Sequence, residues 1–313
     1  MSPTTGDAIV VANVSKWYDR VLGVSDVNWR MSSGIVGLLG PNGAGKSTLI
    51  KMLAGLARPS RGALEVFSGS PFLDLDVRRR IGYAPEHDHT WQDMQIGDLV
   101  TRLAELAGVP RRRSRDAAMV ALEQVGMQDA VDRKIRGLSK GMRQRTKLAT
   151  AIAHDPDLLL LDEPLSGVDP VARIEIVARI RELAARGKTI CVSSHVLYEI
   201  EALTTRIAVL DRGRMVADGD IGEIRRRLHH RPHRVRVACD RPRTLAAALV
   251  AHDHVARVEV TADTAIVETR QLDQCYDDIA AAIRADRLVV SSMSALDTDL
   301  GAVLDLLSQA GGK

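Results

Sequence analysis

Short apolar runs punctuate the first 220 or so residues, with longer stretches of helical spacing between them. Ile9-Val10-Val11-Ala12 is one run, and Gly34-Ile35-Val36-Gly37-Leu38-Leu39 is a second that ends in a glycine-rich turn. Both predict strands. A helix is expected over residues 46–57, and residues 94–154, rich in Ala, Leu, Arg and Glu, are expected to be mostly helical. Leu158-Leu159-Leu160-Leu161 has no polar position, as a strand covered on both faces requires. A helix over 171–185 and a strand at Thr189-Ile190-Cys191-Val192 follow. Strands alternating with helices imply an α/β sheet layered by helices.

His229-His230-Arg231-Pro232-His233 breaks this pattern with a polar, proline-containing segment suited to a linker. The pattern then restarts on a smaller scale. Strands are expected at 234–239, 255–260, 264–269 and 287–292, and helices at 243–251, 272–285 and 297–308. The order β-α-β-β-α-β resembles a ferredoxin-like α+β unit. The expected organisation is therefore a domain over 1–228, a linker over 229–233 and a smaller domain over 234–313, for which 313 residues are ample.

Composition changes this picture little. With 45% hydrophobic and 27% charged residues the chain is ordinary for a globular protein, and 3% aromatics leave the cores to aliphatic side chains. The net charge of +3, from 43 basic and 40 acidic residues, argues for no nucleic-acid partner. The runs Arg78-Arg79-Arg80, Arg111-Arg112-Arg113 and Arg225-Arg226-Arg227 read first as solvated surface. Attraction to an anionic membrane face is the sharper alternative. Cys191, Cys239 and Cys275 are widely spaced, form no metal pattern or disulfide framework, and are expected to be small buried thiols in a reducing compartment. Residues 1–9 show no signal-peptide core, and no apolar run approaches the ~18 residues of a membrane span. Any membrane role must come through a partner.

The chemistry begins after the second run. Gly40-Pro41-Asn42-Gly43-Ala44-Gly45-Lys46-Ser47 matches the phosphate-loop pattern G-x-x-x-x-G-K-[ST], between a strand and a helix. Glycines let successive N–H groups curl toward phosphate oxygens, and the helix adds its positive end. Lys46 reaches the β- and γ-phosphates as a point charge, and Ser47 offers a hydroxyl to Mg²⁺. Asp162-Glu163 closes the leucine run, at the sheet edge to which parallel strands also deliver the loop. Asp162 is expected to hold Mg²⁺ and Glu163 to orient or deprotonate the attacking water.

Just upstream of the acidic strand, Leu138-Ser139-Lys140-Gly141-Met142-Arg143-Gln144-Arg145 resembles the signature of the ATP-binding cassette (ABC) family, whose commonest form is LSGGQ. Lys140 and Met142 depart from that form as in the drug-exporter-like subgroup whose membrane partner is called ABC-2 type. Tyr18, after Ser15-Lys16-Trp17, resembles the aromatic that stacks on adenine, with Trp17 as the alternative and a core role open for either. Ser166-Gly167-Val168-Asp169 resembles the D-loop, Ser193-Ser194-His195 the switch histidine, and Ile81-Gly82-Tyr83-Ala84-Pro85-Glu86 the Q-loop, with Glu86 where glutamine is usual. His87 and His89 nearby read as solvent-facing loop residues.

The resemblance covers residues 8–228 and implies a P-loop NTPase fold of the ABC ATPase type, a RecA-like core plus a helical subdomain. The tail resembles the accessory domain of some drug-exporting ABC-2 ATPases, with residues 297–307 as its final amphipathic helix. The implied nucleotide-binding residues are Tyr18, Gly40, Pro41, Asn42, Gly43, Ala44, Gly45, Lys46, Ser47, Thr48, Glu86, Ser139, Lys140, Gly141 and Asp169. Ser47, Asp162 and Glu86 are the implied metal residues, and Glu163, His195 and Lys46 the catalytic ones. The implied function is hydrolysis of ATP, with Mg²⁺, to power an ABC-2 exporter through ATP-driven pairing of two cassettes. The partners implied are a second ATPase subunit, in a homodimer, and a separate transmembrane permease, at the cytoplasmic side of the cell membrane. Rival readings fit less well. Repair-type soluble ABC ATPases carry coiled-coil insertions between phosphate loop and signature, whereas here about 90 residues intervene without sustained heptads. Translation-type ABC ATPases carry two cassettes, and this chain has one phosphate loop. The Lys140/Met142 signature and Glu86 argue against an importer, and the guanine motif N-K-x-D of GTPases does not occur.

Overall fold

The computed structural model describes residues 6–87, 91–228 and 233–295. Strands β1 (Ile9–Tyr18), β2 (Val21–Met31) and β3 (Ile35–Leu39) lead into helix α1 (Lys46–Leu53). Strand β4 (Arg61–Val66), the short helix α2 (Leu75–Arg79) and strand β5 (Ile81–Ala84) come next. A helical section holds α3 (Ile96–Leu106), α4 (Arg111–Gln124) and α5 (Lys140–Ile152). The alternation then resumes with β6 (Leu158–Leu161), α6 (Pro170–Ala185), β7 (Thr189–Ser194), α7 (Leu197–Glu201), β8 (Arg206–Asp211) and β9 (Arg214–Asp220).

The central sheet runs β5-β6-β7-β3-β8-β9, parallel throughout except for the antiparallel edge strand β9. All four leucines of β6 and all six residues of β7 are buried, which explains the unbroken apolar run of β6 and of Ile190-Cys191-Val192 in β7. Leu39 of β3 pairs with Ser194 of β7, so the ends of these strands reach one sheet edge together. A second sheet, β2-β1-β4, is antiparallel and was invisible in the sequence beyond the start of β1. Its register shifts three times between β1 and β2, and Asn13 and Asp26 take positive φ, so no clean period of two survives. Helix α1 stops earlier than expected. Gly55, at φ +72°, ends it: Leu56 N–H donates to Lys51 O (2.8 Å) and Gly55 N–H to Met52 O (3.1 Å), a Schellman closure.

The chain divides into two compact units, Met1–Asp220 and Ile221–Lys313. Helix α8 (Ile221–Leu228), expected with the first domain, falls in the second unit. The second unit continues with β10 (His233–Cys239), α9 (Pro242–Leu249), β11 (Val255–Val260), β12 (Thr264–Thr269), α10 (Leu272–Asp286) and β13 (Val290–Ala295). Its antiparallel sheet is ordered β11-β12-β10-β13, which is the ferredoxin-like arrangement. Val235, Val237, Leu245, Leu249, Val267 and Ile279 are among its fully buried core residues. The helix expected at 297–308 and residues 229–232 of the linker lie outside the described residues. Among the described residues, no helix is long and apolar enough to cross a membrane.

Candidate functional site

The loop between β3 and α1 is built where side chains do not fit. A Cβ at Gly40 would overlap the Leu210 carbonyl, and one at Gly45 would stand 2.5 Å from the Gly23 carbonyl oxygen. Gly43 and Gly45 also take φ of +81° and +104°, which favour glycine. Asn42 and Gly43 are exposed, Pro41, Gly45, Ser47 and Thr48 are half-buried, and Ala44 is buried. Helix α1 begins at Lys46 with no side-chain cap and no acidic residue in its first turn. Its N–H groups and positive end are left for an external anion.

Lys46 is buried, and three oxygens surround its ammonium: Gly40 O (2.7 Å), Pro41 O (3.3 Å) and Glu163 Oε1 (3.1 Å). Glu163 is the second residue beyond β6 and takes φ +50°, a left-handed turn that costs a non-glycine residue about 1–2 kcal/mol. Ser193, at the end of β7, holds that turn. Its Oγ accepts the Glu163 N–H (2.9 Å) and donates to Asp162 Oδ1 (2.7 Å). Glu163 Oε2 lies 2.9 Å from His195 Nδ1, and His195 is partly exposed. Glu163 Oε1, although close to Lys46, is buried without a hydrogen-bond partner, and so has room for one more donor. The neighbouring Ser194 hydroxyl donates to Glu199 Oε2 (2.7 Å) and accepts from Val196 N (3.0 Å), which fixes the turn carrying His195 to α7.

The acidic pair marks its surroundings electrostatically. Burial, then the field of Asp162, pushes the Cys191 thiol up to about 12. Burial, then Asp162 and Glu86, raises the Tyr83 phenol well above its ordinary value.

A second polar feature adjoins Glu86. A cavity of about 270 Å³ is lined by Glu86, His87, Lys140, Arg143, Gln144 and Ser166, so the Q-loop, signature and D-loop segments meet there. Ser139 caps α5 by accepting from Met142 N (3.2 Å), and Asp169 caps α6 by accepting from Ala172 N (3.0 Å). A Cβ at Gly141 would stand 2.7 Å from Ala172 Cβ, and one at Gly167 would overlap the Lys140 ammonium. Glycine at these positions lets the start of α5 pack against the D-loop. Lys147 of α5, 2% exposed, sends its ammonium to the Glu86 carbonyl oxygen (2.6 Å). Sequence reasoning missed Lys147, Ser193 and Tyr83. A lysine on a helix of mixed polarity carries no local signal of burial, whereas the serine pair before His195 was a signal left unused.

Tyr18 and Trp17 are 43% and 46% exposed, which excludes a core role for either. A Cβ at Gly23 would meet Thr48 Cγ2 at 3.1 Å and Tyr18 Cε2 at 3.3 Å, so Tyr18 lies beside the first turn of α1. His87 is exposed, and His89 lies outside the described residues.

Residues 24–166 match the family model described as ABC transporter, a span holding the phosphate loop, the signature and the acidic strand end. The chain is 38% identical over 209 residues to the Nod factor export ATP-binding protein I of Burkholderia orbicola, covering 66% of this chain and 69% of that one. It is 36% identical over 232 residues to the daunorubicin/doxorubicin resistance ATP-binding protein DrrA of Streptomyces peucetius, covering 74% and 70%. A solved ATP-binding subunit of an ABC transporter superimposes with a TM-score of 0.62 at 29% identity, covering 71% of this chain and 93% of the other. These matches, over a span that holds the glycine loop, the buried lysine and the acidic strand end, show that the chain belongs to the ABC transporter family as an ATP-binding, ATP-hydrolysing cassette.

Proposed function

We propose that this cassette hydrolyses ATP to drive an exporter whose membrane-spanning part is a separate, ABC-2 type permease, and that it works as a homodimer closed by ATP at the cytoplasmic face of the membrane. The relatives named for Nod factor export and for daunorubicin/doxorubicin resistance support the export reading. The observation that carries the hydrolytic reading is the chain Lys46–Glu163–His195, its first two members buried, set between the phosphate loop and the strand end.

In this reading the ammonium of Lys46 moves from the loop carbonyls and Glu163 to the β- and γ-phosphates. Glu163, freed from that ion pair, accepts a proton from the water that attacks the γ-phosphorus in line, and ADP and phosphate leave. His195 holds the Glu163 carboxylate in place through Oε2. Asp162 and Ser47 offer the hard oxygens that Mg²⁺ takes, with Glu86 as a further carboxylate. Glu163 Oε1, buried and ion-paired with Lys46 but without a hydrogen bond, fits a site that takes further occupants. Bound there, Mg²⁺ would offset phosphate charge. In this reading Tyr18, Asn42 and Thr48 would hold the rest of the nucleotide, which the approach of Tyr18 to the first turn of α1 supports.

The start of α5 supports a role for the signature in closing the dimer. Lys140 and Arg143 lie in its first turn, where positive charge opposes the helix dipole until an anion arrives. The γ-phosphate of ATP on a second cassette, reached by Ser139, Lys140 and Gly141 with the D-loop around Asp169, would be that anion. The test is Glu163→Gln. Turnover should fall by about 10²–10⁴, while ATP binding persists and the variant accumulates as a dimer with Mg-ATP in light scattering. Rapid turnover, with only monomer, would overturn the assignment.

A further inference from the structure

The second unit carries a cluster that the nucleotide chemistry does not use. His252 and His254 lie on the turn between α9 and β11, and Asp278 lies on α10. His254 Nε2 is 2.7 Å from Asp278 Oδ2, and His252 Nδ1 is 3.3 Å from the same oxygen. One ligand atom from each residue lies within 4.8 Å of the others. The two rings are tilted by 35°, with centroids 5.6 Å apart. We propose that His252, His254 and Asp278 bind a first-row divalent transition-metal ion, of the zinc class, that clips the α9–β11 turn to α10.

The convergence of two imidazole nitrogens on one carboxylate oxygen carries this proposal, and the hydrogen bonds around His254 fit it. Thr269 Oγ1 accepts from Gln271 N (3.1 Å) and has two carbonyl acceptors in reach, His254 O (3.1 Å) and Gln271 O (3.2 Å). Its single proton has a third acceptor in His254 Nδ1, at 2.8 Å; given to either carbonyl instead, it leaves the ring N–H to donate to the hydroxyl. In that tautomer the Nε2 lone pair is aimed at a carboxylate oxygen, and a cation between them, a proton or a metal ion, completes the contact. A proton satisfies one histidine and one oxygen and leaves His252 Nδ1 with nothing in particular to do. A metal ion satisfies all three. Two imidazoles and a carboxylate are a common three-residue set for such an ion, leaving a fourth position to water. The Nδ1–H···Oγ bond of Thr269 is also the kind of outer contact that orients a ligating imidazole. His254 is buried, while His252 is 40% exposed and gives the ion a way in. Metal–ligand bonds of about 2.0–2.2 Å in a tetrahedral set would ask Asp278 Oδ2 and His254 Nε2, now 2.7 Å apart, to part by about 0.6 Å.

The experiment uses the full chain, stripped with a chelator and free of nucleotide and Mg²⁺, titrated with Zn²⁺ against a chromophoric competitor. Wild type should take up one equivalent per chain. His252→Ala, at an exposed position, and Asp278→Asn, of the same shape, should each lose that equivalent with unchanged circular dichroism. Thr269→Val should weaken it about 10–100-fold. Replacing the three histidines of the 229–233 segment by alanine should leave it intact. Co²⁺ in place of Zn²⁺ should give visible absorption bands that vanish in His252→Ala. No stoichiometric uptake by wild type would overturn the site, as would uptake that survives both His252→Ala and Asp278→Asn or is lost with the 229–233 histidines.

Discussion

Lys46 and Glu163 meet at 3.1 Å in an environment that exposes neither by more than 5% of its surface. An ammonium so placed is attracted at once by loop carbonyls, a carboxylate and any phosphate that enters, and phosphate, with the most charge, should prevail. Lys46→Ala should therefore abolish measurable nucleotide binding by calorimetry and hydrolysis with it, and unchanged affinity would place the phosphates elsewhere. Glu86 presents a subtler case. Its carboxylate is exposed, with Lys140 and Arg143 lining the same cavity. If it also faces the bound metal, Glu86→Gln should keep hydrolysis within about tenfold, as a change of one charge beside a divalent ion allows, but need more Mg²⁺ for half-maximal rate. An identical Mg²⁺ dependence would remove Glu86 from the metal. The thiols give a test of burial. Cys191 is pushed up to about 12 and Cys275 to about 11, both first by desolvation, so the folded state keeps their protons where the unfolded state, near 9, has lost them. Below pH 9 the two states bind these protons alike. Above it the native state binds more, so stability should fall progressively from pH 9 toward 12 in denaturant titrations. Of these residues, Lys46, Asp162, Glu163 and His195 were legible in the sequence because their meaning is local, each at a fixed offset in a short motif. Ser193 and Lys147 were not, because what they touch lies 30 and 61 residues away.

Strands showed themselves in the sequence in proportion to how evenly they are buried. β6 and β7 are covered along their whole length, so the leucines of β6 and Ile190-Cys191-Val192 of β7 form apolar runs that could be read directly. β2 and β4 each have one half-exposed face, bulged partners and polar residues out of phase, and their pairing depends on β1 more than on any pattern of their own. The second unit was read more completely because its strands and helices are short, regular and separated by turns of two to five residues. Close packing between elements depends on residues the pattern ignores. Gly82 of β5 faces the Ala151 carbonyl at the end of α5, with Leu159 Cδ2 and Pro156 Cγ also within 3 Å of where a Cβ would stand. A backbone oxygen cannot swing aside, so Gly82→Ala should cost about 1–3 kcal/mol by overpacking. Gly137 has open space around the same position and an ordinary φ. Gly137→Ala should be neutral within about 0.5 kcal/mol. Urea midpoints for the pair would decide whether β5 and α5 are as tightly apposed as the geometry requires, since equal midpoints would show that the strand can retreat.

At the scale of the whole chain, a hydrophobic core in each unit is built, among the described residues, without sharing any residue with the other. The first draws on Ile9, Leu38, Leu49, Leu158 and Leu210, and every residue assigned to the nucleotide site lies before Asp220. The second draws on Val235, Leu249, Val267 and Ile279, with the proposed metal cluster at its edge. A core that is complete within one stretch of chain gives that stretch its own cooperative unfolding, because the loss of the other core removes none of its buried contacts. A chain ending at residue 228 should therefore fold, bind ATP with wild-type affinity and unfold in a single transition. The full chain, by contrast, should respond to Zn²⁺ in only one of its transitions. Differential scanning calorimetry of both chains, with and without Mg-ATP and Zn²⁺, separates the possibilities. Mg-ATP should move the transition that the shortened chain retains, and Zn²⁺ the one it has lost. An insoluble or nucleotide-blind shortened chain would mean that the first core, though closed on paper, draws its stability from residues beyond 228, and that the accessory unit is a structural part of the motor.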